Sequence, residues 1–153
     1  MKILIKIIKV SFLGTFLILY SFTLESEAQD NKQPCKSFKD KITLPSINKK
    51  LKNPVLRTEA NILQGKKLYQ KKIKMIPCAQ CHGRIGNGKG PMAWAFNPSP
   101  TNFNCKEGIV EVSDGRLFWT VKNGSHGTGM LPYKNLADEE IWKIILYIRE
   151  LKE

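Results

Sequence analysis

Histidine occurs twice in 153 residues, and only 13 acidic side chains stand against 25 lysines and arginines. So few acids and bases leave no nucleophile–base pair or carboxylate pair spaced for independent catalysis. Four cysteines are too few for a scaffold held by disulfides alone. No apolar run reaches the roughly 18 residues that a membrane span needs. Internal repeats, low-complexity tracts and paired alternating strands are all missing. What is present is enough for one domain with a real core: 42% hydrophobic, 25% charged and 9% aromatic residues. Those fractions exclude a disordered chain, a collagen-like repeat and a polytopic membrane protein. The formal charge of +12 speaks to partners and solubility rather than to fold.

Residues 1–28 read as a secretory signal. Lys2, Lys6 and Lys9 supply the positive start, and Val10 to Leu24 runs 15 residues without a charge. Ser26-Glu27-Ala28 places small residues where a signal peptidase reads, so cleavage before Gln29 is expected. The alternative is an uncleaved membrane anchor. Either way the working domain lies outside the cytoplasm, periplasmic or otherwise extracytoplasmic. Residues 29–56 are polar, lysine-rich and broken by Pro34, Pro45 and Pro54, an extended N-terminal arm. Residues 57–153 form the remaining domain.

Three helices are predicted there. Thr58 to Lys74 places Ile62, Gly65, Tyr69, Ile73 and Ile76 on one face, with Thr58 as cap and Pro77 as stop. Gly65 costs up to about 1 kcal/mol of helix propensity, and close approach of another helix is its expected compensation. Ser113 to Lys122 is capped by Ser113 and stopped by Asn123-Gly124. Asp138 to Lys152 carries the stripe Ile141, Ile144, Ile145, Ile148 and Leu151, with Glu139 and Lys143 paired on its wet face. Long Gly- and Pro-rich loops join them, so the fold class is all-α with loops that serve a function or wrap something.

Cys78-Ala79-Gln80-Cys81-His82 is the decisive motif. C-x-x-C-H is the attachment signature for c-type haem. Two thiols add across two vinyl groups on one porphyrin edge, and one turn of backbone presents both sulfurs to that edge. The neighbouring imidazole then reaches the iron. A redox dithiol would require a βαβ context, which is absent. A zinc site would require two more ligands, and Cys105 and His126 stand at spacings unlike a common zinc module. For the second axial position the candidates are Met75, Met92, His126 and Met130. Met130 is favoured, because Gly127 and Gly129 let its loop approach a flat surface closely; His126 is the alternative.

Cys78 to Gly83, the run Asn87-Gly88-Lys89-Gly90-Pro91, Leu117-Phe118-Trp119 leading to Asn123-Gly124, Gly127 to Tyr133 and the closing helix with Tyr147 together resemble the monohaem class I cytochromes c. The resemblance spans Leu56 to Glu153. It implies a cytochrome c-like fold around one covalently bound haem c and its iron, with His82 as proximal ligand. It further implies that the Pro91 carbonyl orients that imidazole. Gly65 and Tyr69 would cross the last helix near Ile144 and Tyr147, and Trp94, Trp119 and Tyr133 would line the ring or its propionates. The family's ligand methionine usually stands directly before a proline. Here Leu131 intervenes between Met130 and Pro132, which keeps His126 open as the sixth ligand.

With two thiols committed to haem, Cys35 and Cys105 are left to pair. That bond would close a loop of about 70 residues and contribute about 4 kcal/mol. Residues 49–74 hold nine basic side chains against Glu59. Nucleic acid is excluded by export. Redox proteins with acidic docking surfaces are the expected partners, and anionic lipid at the outer face of a membrane is the second match. The reading that follows is an electron carrier. The alternatives are the electron-entry subunit of a larger oxidoreductase and a small haem enzyme acting on a sulfur compound.

Overall fold

A computed structural model describes residues 51–71, 76–105 and 109–151. The signal segment and most of the arm, Cys35 included, lie outside these residues, as do Ile73, Met75 and Lys152. Four α-helices and one 3-10 turn make up the described fold: α1 (Glu59–Gln70), α2 (Cys78–His82), the 3-10 turn Ala93–Ala95, α3 (Asp114–Asn123) and α4 (Asp138–Glu150). No strand occurs among the described residues, in keeping with the all-α expectation.

The ends of these helices follow local chemistry. The Thr58 hydroxyl accepts from the Asn61 N–H at 3.2 Å, and Ser113 accepts from Arg116 at the same distance. Gly124 closes α3 at φ +78°, where an alanine Cβ would also meet the Met130 carbonyl oxygen at 2.7 Å. Three acids, Asp138, Glu139 and Glu140, occupy the first turn of α4, and the Glu140 carboxylate accepts from the Ala137 N–H. The first helix ends earlier than its hydrophobic period suggests. Lys71 is already extended, at φ −107° and ψ 144°.

The core forms where α1 crosses α4. An added Cβ on Gly65 would lie 1.9 Å from the Lys143 carbonyl oxygen, so the two backbones touch. Tyr69, Ile141 and Ile145 are fully buried at this crossing, and Ile144 nearly so. The Tyr69 ring meets Tyr147 edge-on at 5.2 Å and Phe103 at 6.4 Å. On the other side of α4, Trp142 stacks on Phe118 of α3, with centroids 4.3 Å apart. The Glu139–Lys143 pair forms as expected. The end of the arm, Leu51 to Leu56, has no helix or strand and is tied down by hydrogen bonds from Asn53 to the Trp142 carbonyl and from the Gly115 N–H to the Leu51 carbonyl.

Arg149 is a second fastening that hydrophobic periodicity does not reveal. Its guanidinium donates to the carbonyls of Ile109 (2.6 Å) and Val112 (2.5 Å) and twice to Asp114 Oδ1. One side chain thus holds the loop before α3 against α4. Arg149→Met is expected to lower stability by about 2–4 kcal/mol, since two carbonyls and a carboxylate lose a charged donor together. A urea titration with unchanged slope and a lowered midpoint checks this.

Candidate functional site

The site is built on α2, a helix of five residues. So short a helix leaves its carbonyls without internal partners. The glycine-rich loop behind it supplies them: N–H groups of Gly83, Met92, Gly90 and Gly88 donate to the carbonyls of Ala79, Gln80, Cys81 and His82 at 2.8 to 3.1 Å. Gly90 must lack a side chain there, because a Cβ would sit 2.3 Å from the Gln80 oxygen. α1 grips the same loop. The Tyr69 hydroxyl donates to the Gly83 carbonyl at 2.9 Å, and Gln70 donates to the Arg84 carbonyl at 3.0 Å. The helix crossing at Gly65 therefore positions the motif through Tyr69.

Cys78 and Cys81 are both free thiols. Three residues apart on a helix, they share a face. Burial pushes the Cys78 thiol up to about 12 and raises Cys81 as well, so both are protonated at neutral pH. Burial lowers the His82 imidazole, and the hydrogen bond to Thr101 acts in the opposite direction. His82 Nδ1 lies 3.0 Å from the Thr101 carbonyl oxygen. Nδ1 carries the proton in that arrangement, which leaves the Nε2 lone pair for a metal.

This corrects the expected orienting group: the acceptor is Thr101, not Pro91. The loop folds back so that Gly88, at φ +74°, packs on residues 100–102, while the Phe103 N–H bonds the Gly86 carbonyl at 2.6 Å. Residues 100–103 are thereby laid beside the imidazole, and Phe103 stacks on His82 with centroids 4.6 Å apart and planes 19° from parallel. Pro91 stands exposed at the start of the turn before Ala93.

The loop after α3 closes toward the motif. Tyr133 donates to the Ile76 carbonyl at 2.7 Å. Burial raises its phenol, and Cys78 and Cys81 raise it further. Met130 packs half-buried against the same hydrophobic cluster as Cys78, whereas His126 is exposed. Gly129 meets the Phe96 ring, where a Cβ would come within 2.1 Å. Met92 is 38% and Trp94 87% exposed on or beside the 3-10 turn, and Trp119 is half-buried on α3. Ile76 and Leu131 also present apolar surface.

The donor set fits haem c: two reduced thiols on one helical face, a half-buried imidazole next to the second, and apolar side chains around them. Among the described residues no group of three or more His, Cys, Asp and Glu side chains could hold a metal on its own. The zinc alternative for Cys105 and His126 gains nothing from the structure.

A family model described as cytochrome C oxidase, cbb3-type, subunit III matches residues 60–148. No curated protein matches the chain. A solved structure, the Kuenenia stuttgartiensis reducing HAO-like protein complex, contains a chain 30% identical, with a TM-score of 0.57 over 76% of this chain. The match covers 54% of that chain, so the present protein spans about half its length. The fold, the motif on α2 and these likenesses agree: the protein belongs to the family described as cytochrome C oxidase, cbb3-type, subunit III, a family of class I monohaem cytochromes c whose cofactor is covalently bound haem c.

Proposed function

We propose that this protein is an exported single-electron carrier in which Cys78 and Cys81 would hold the haem and His82 and Met130 would ligate its iron. Bound there, the haem supplies an iron that moves between ferrous and ferric states. The chain's own residues do the rest. The Thr101 carbonyl holds the His82 ring in one orientation and one tautomer. Tyr133 ties the Met130 loop to the residue before Pro77. Phe103 and Tyr69 exclude water behind the imidazole. A site closed by two protein ligands favours electron transfer over substrate binding at iron, and a thioether ligand favours the reduced state.

The observation that carries this reading is the contrast between Met130 and His126: one packs half-buried against the hydrophobic core, as Cys78 does, and the other is exposed. Met130→Ala is expected to convert the low-spin spectrum to a high-spin one that binds carbon monoxide when reduced, while His126→Ala leaves it unchanged. An unaltered low-spin spectrum in Met130→Ala would remove the methionine from the iron.

Periplasmic or other extracytoplasmic residence belongs to the same proposal, with either a cleaved signal or a retained anchor. So does a Cys35–Cys105 disulfide. Cys105 is 5% exposed, and the two free thiols among the described cysteines are Cys78 and Cys81. Redox proteins bearing acidic patches are the proposed partners, matched to a chain with a formal charge of +12. A second reading, the electron-entry subunit of a larger oxidoreductase, is favoured by the likeness to a chain of a multi-protein complex. Native purification separates the two: a carrier elutes alone, a subunit with its enzyme.

A further inference from the structure

α1 uses two faces for different purposes. Gly65 and Tyr69 bury one against α4. The other carries Leu63, Lys66 and Lys67, at helical positions i, i+3 and i+4, and Lys71 follows at the C-cap, just past the helical backbone. Leu63 is 50% exposed, and all three lysines are exposed. None of the three forms an ion pair among the described residues, whose pairs are Arg57–Glu150, Lys122–Asp138, Lys143–Glu139 and Arg149–Asp114. The patch continues past the helix. Gln70 binds the Arg84 carbonyl, which brings exposed Arg84 and 62% exposed Ile85 to the end of this face. The helix has one acid, Glu59, at its opposite end.

We infer that this face docks on an anionic lipid surface. Phosphate headgroups match unpaired lysines whose flexible stems can lie along the acyl boundary. Aliphatic side chains standing among cations are the mark of an interfacial helix face, because they enter the layer below the phosphates. A carboxylate-bearing protein surface would satisfy the charges but gives no reason for an exposed Leu63 between them. The inference goes beyond the electron-carrier reading. Docked in this way, the protein presents to the lipid the face next to α2, so a partner embedded in the membrane would meet the haem-attachment segment.

The test is co-sedimentation of the exported holoprotein with phosphatidylcholine vesicles, with and without phosphatidylglycerol, counting only the fraction released by high salt. Wild type is expected to bind the phosphatidylglycerol vesicles selectively. Lys66→Gln/Lys67→Gln/Lys71→Gln should weaken that binding about 100-fold, from roughly fivefold per lysine. Lys52→Gln/Lys89→Gln/Lys134→Gln, with the same change in net charge, should lose only a few-fold, and Leu63→Gln should bind several-fold more weakly than wild type. Equal losses in the two triple variants would overturn the proposal, as would wild type that ignores phosphatidylglycerol. An unchanged Leu63→Gln that binds polyglutamate as well as vesicles would also overturn it, and would assign the face to an acidic protein. The Soret band and the melting temperature report haem loading and folding separately, so a failed lipid interaction leaves the haem assignment intact.

Discussion

Replacing Cys78 and Cys81 together by alanine is expected to give a protein from which acid acetone strips every trace of haem, where the wild type keeps it. The two thiols are the covalent links that the family's cofactor needs, and they lie on one face of a five-residue helix whose last four carbonyls accept from the following loop. With both sulfurs gone, the haem would be held by coordination alone, to His82 and, on the proposed reading, Met130, and acid breaks the first of these bonds by protonating the imidazole. The Cys81→Ala variant should retain colour through one thioether, with a shifted absorption band of the reduced pyridine complex. Intact-mass measurement on the three proteins reads the result directly. Covalent haem in the double variant would refute the assignment of the two cysteines.

Gly65→Ala is expected to be the most damaging single methyl group in the domain. In an exposed helix the change would gain up to about 1 kcal/mol. Here the new Cβ would stand 1.9 Å from the Lys143 carbonyl oxygen and 2.5 Å from its carbon. Backbone atoms cannot swing aside as a side-chain tip can, so α1 and α4 must separate by more than 1 Å. Tyr69 and Ile144 then lose their packing, and the Tyr69 hydroxyl pulls away from the Gly83 carbonyl. A net loss of about 3 kcal/mol follows, the upper end for overpacking. For a domain of this size that is a melting temperature lower by roughly 15 °C. Gly127→Ala is the contrast: nothing lies within 4 Å of its added Cβ, and its φ of +73° alone costs about 1–2 kcal/mol. Thermal melts of the two variants should rank accordingly. A Gly65→Ala protein as stable as wild type would mean that the helices do not touch there.

The local devices were legible in the sequence because each acts over a few residues. Thr58 and Ser113 cap where they were expected to, Gly124 stops α3, and Gly65 announces a helix crossing by its cost in an otherwise helical run. The C-x-x-C-H spacing encodes its own chemistry. What eluded sequence reasoning depends on how the long loops return. The resemblance to class I cytochromes c implies the Pro91 carbonyl as the partner of His82. Yet the glycines turn the chain back on itself, and Gly88 packs on residues 100–102, which hands the role to Thr101. One local sign was available there. Asn102 can accept from a backbone N–H two residues on, as it does from Asn104 at 2.9 Å, which fixes the 100–104 stretch. The clamp by Arg149 escaped for a similar reason. Its partners Ile109, Val112 and Asp114 lie far back in the chain, and no periodicity links them. The first helix was overextended because Ile73 continues its period, while Lys71 already leaves the helical backbone.

The contact between α1 and α4 also sets an order of events during biosynthesis. The pocket around Tyr69 is completed by Ile144, Ile145 and Tyr147, near the very end of the chain. A nascent polypeptide emerges amino end first, at about 5–20 residues per second, so for some seconds the two thiols exist without the helix that finishes their surroundings. Once Trp142 to Ile148 arrive, the pocket around Tyr69 closes behind the motif, while Cys78 and Cys81 themselves stay half-exposed.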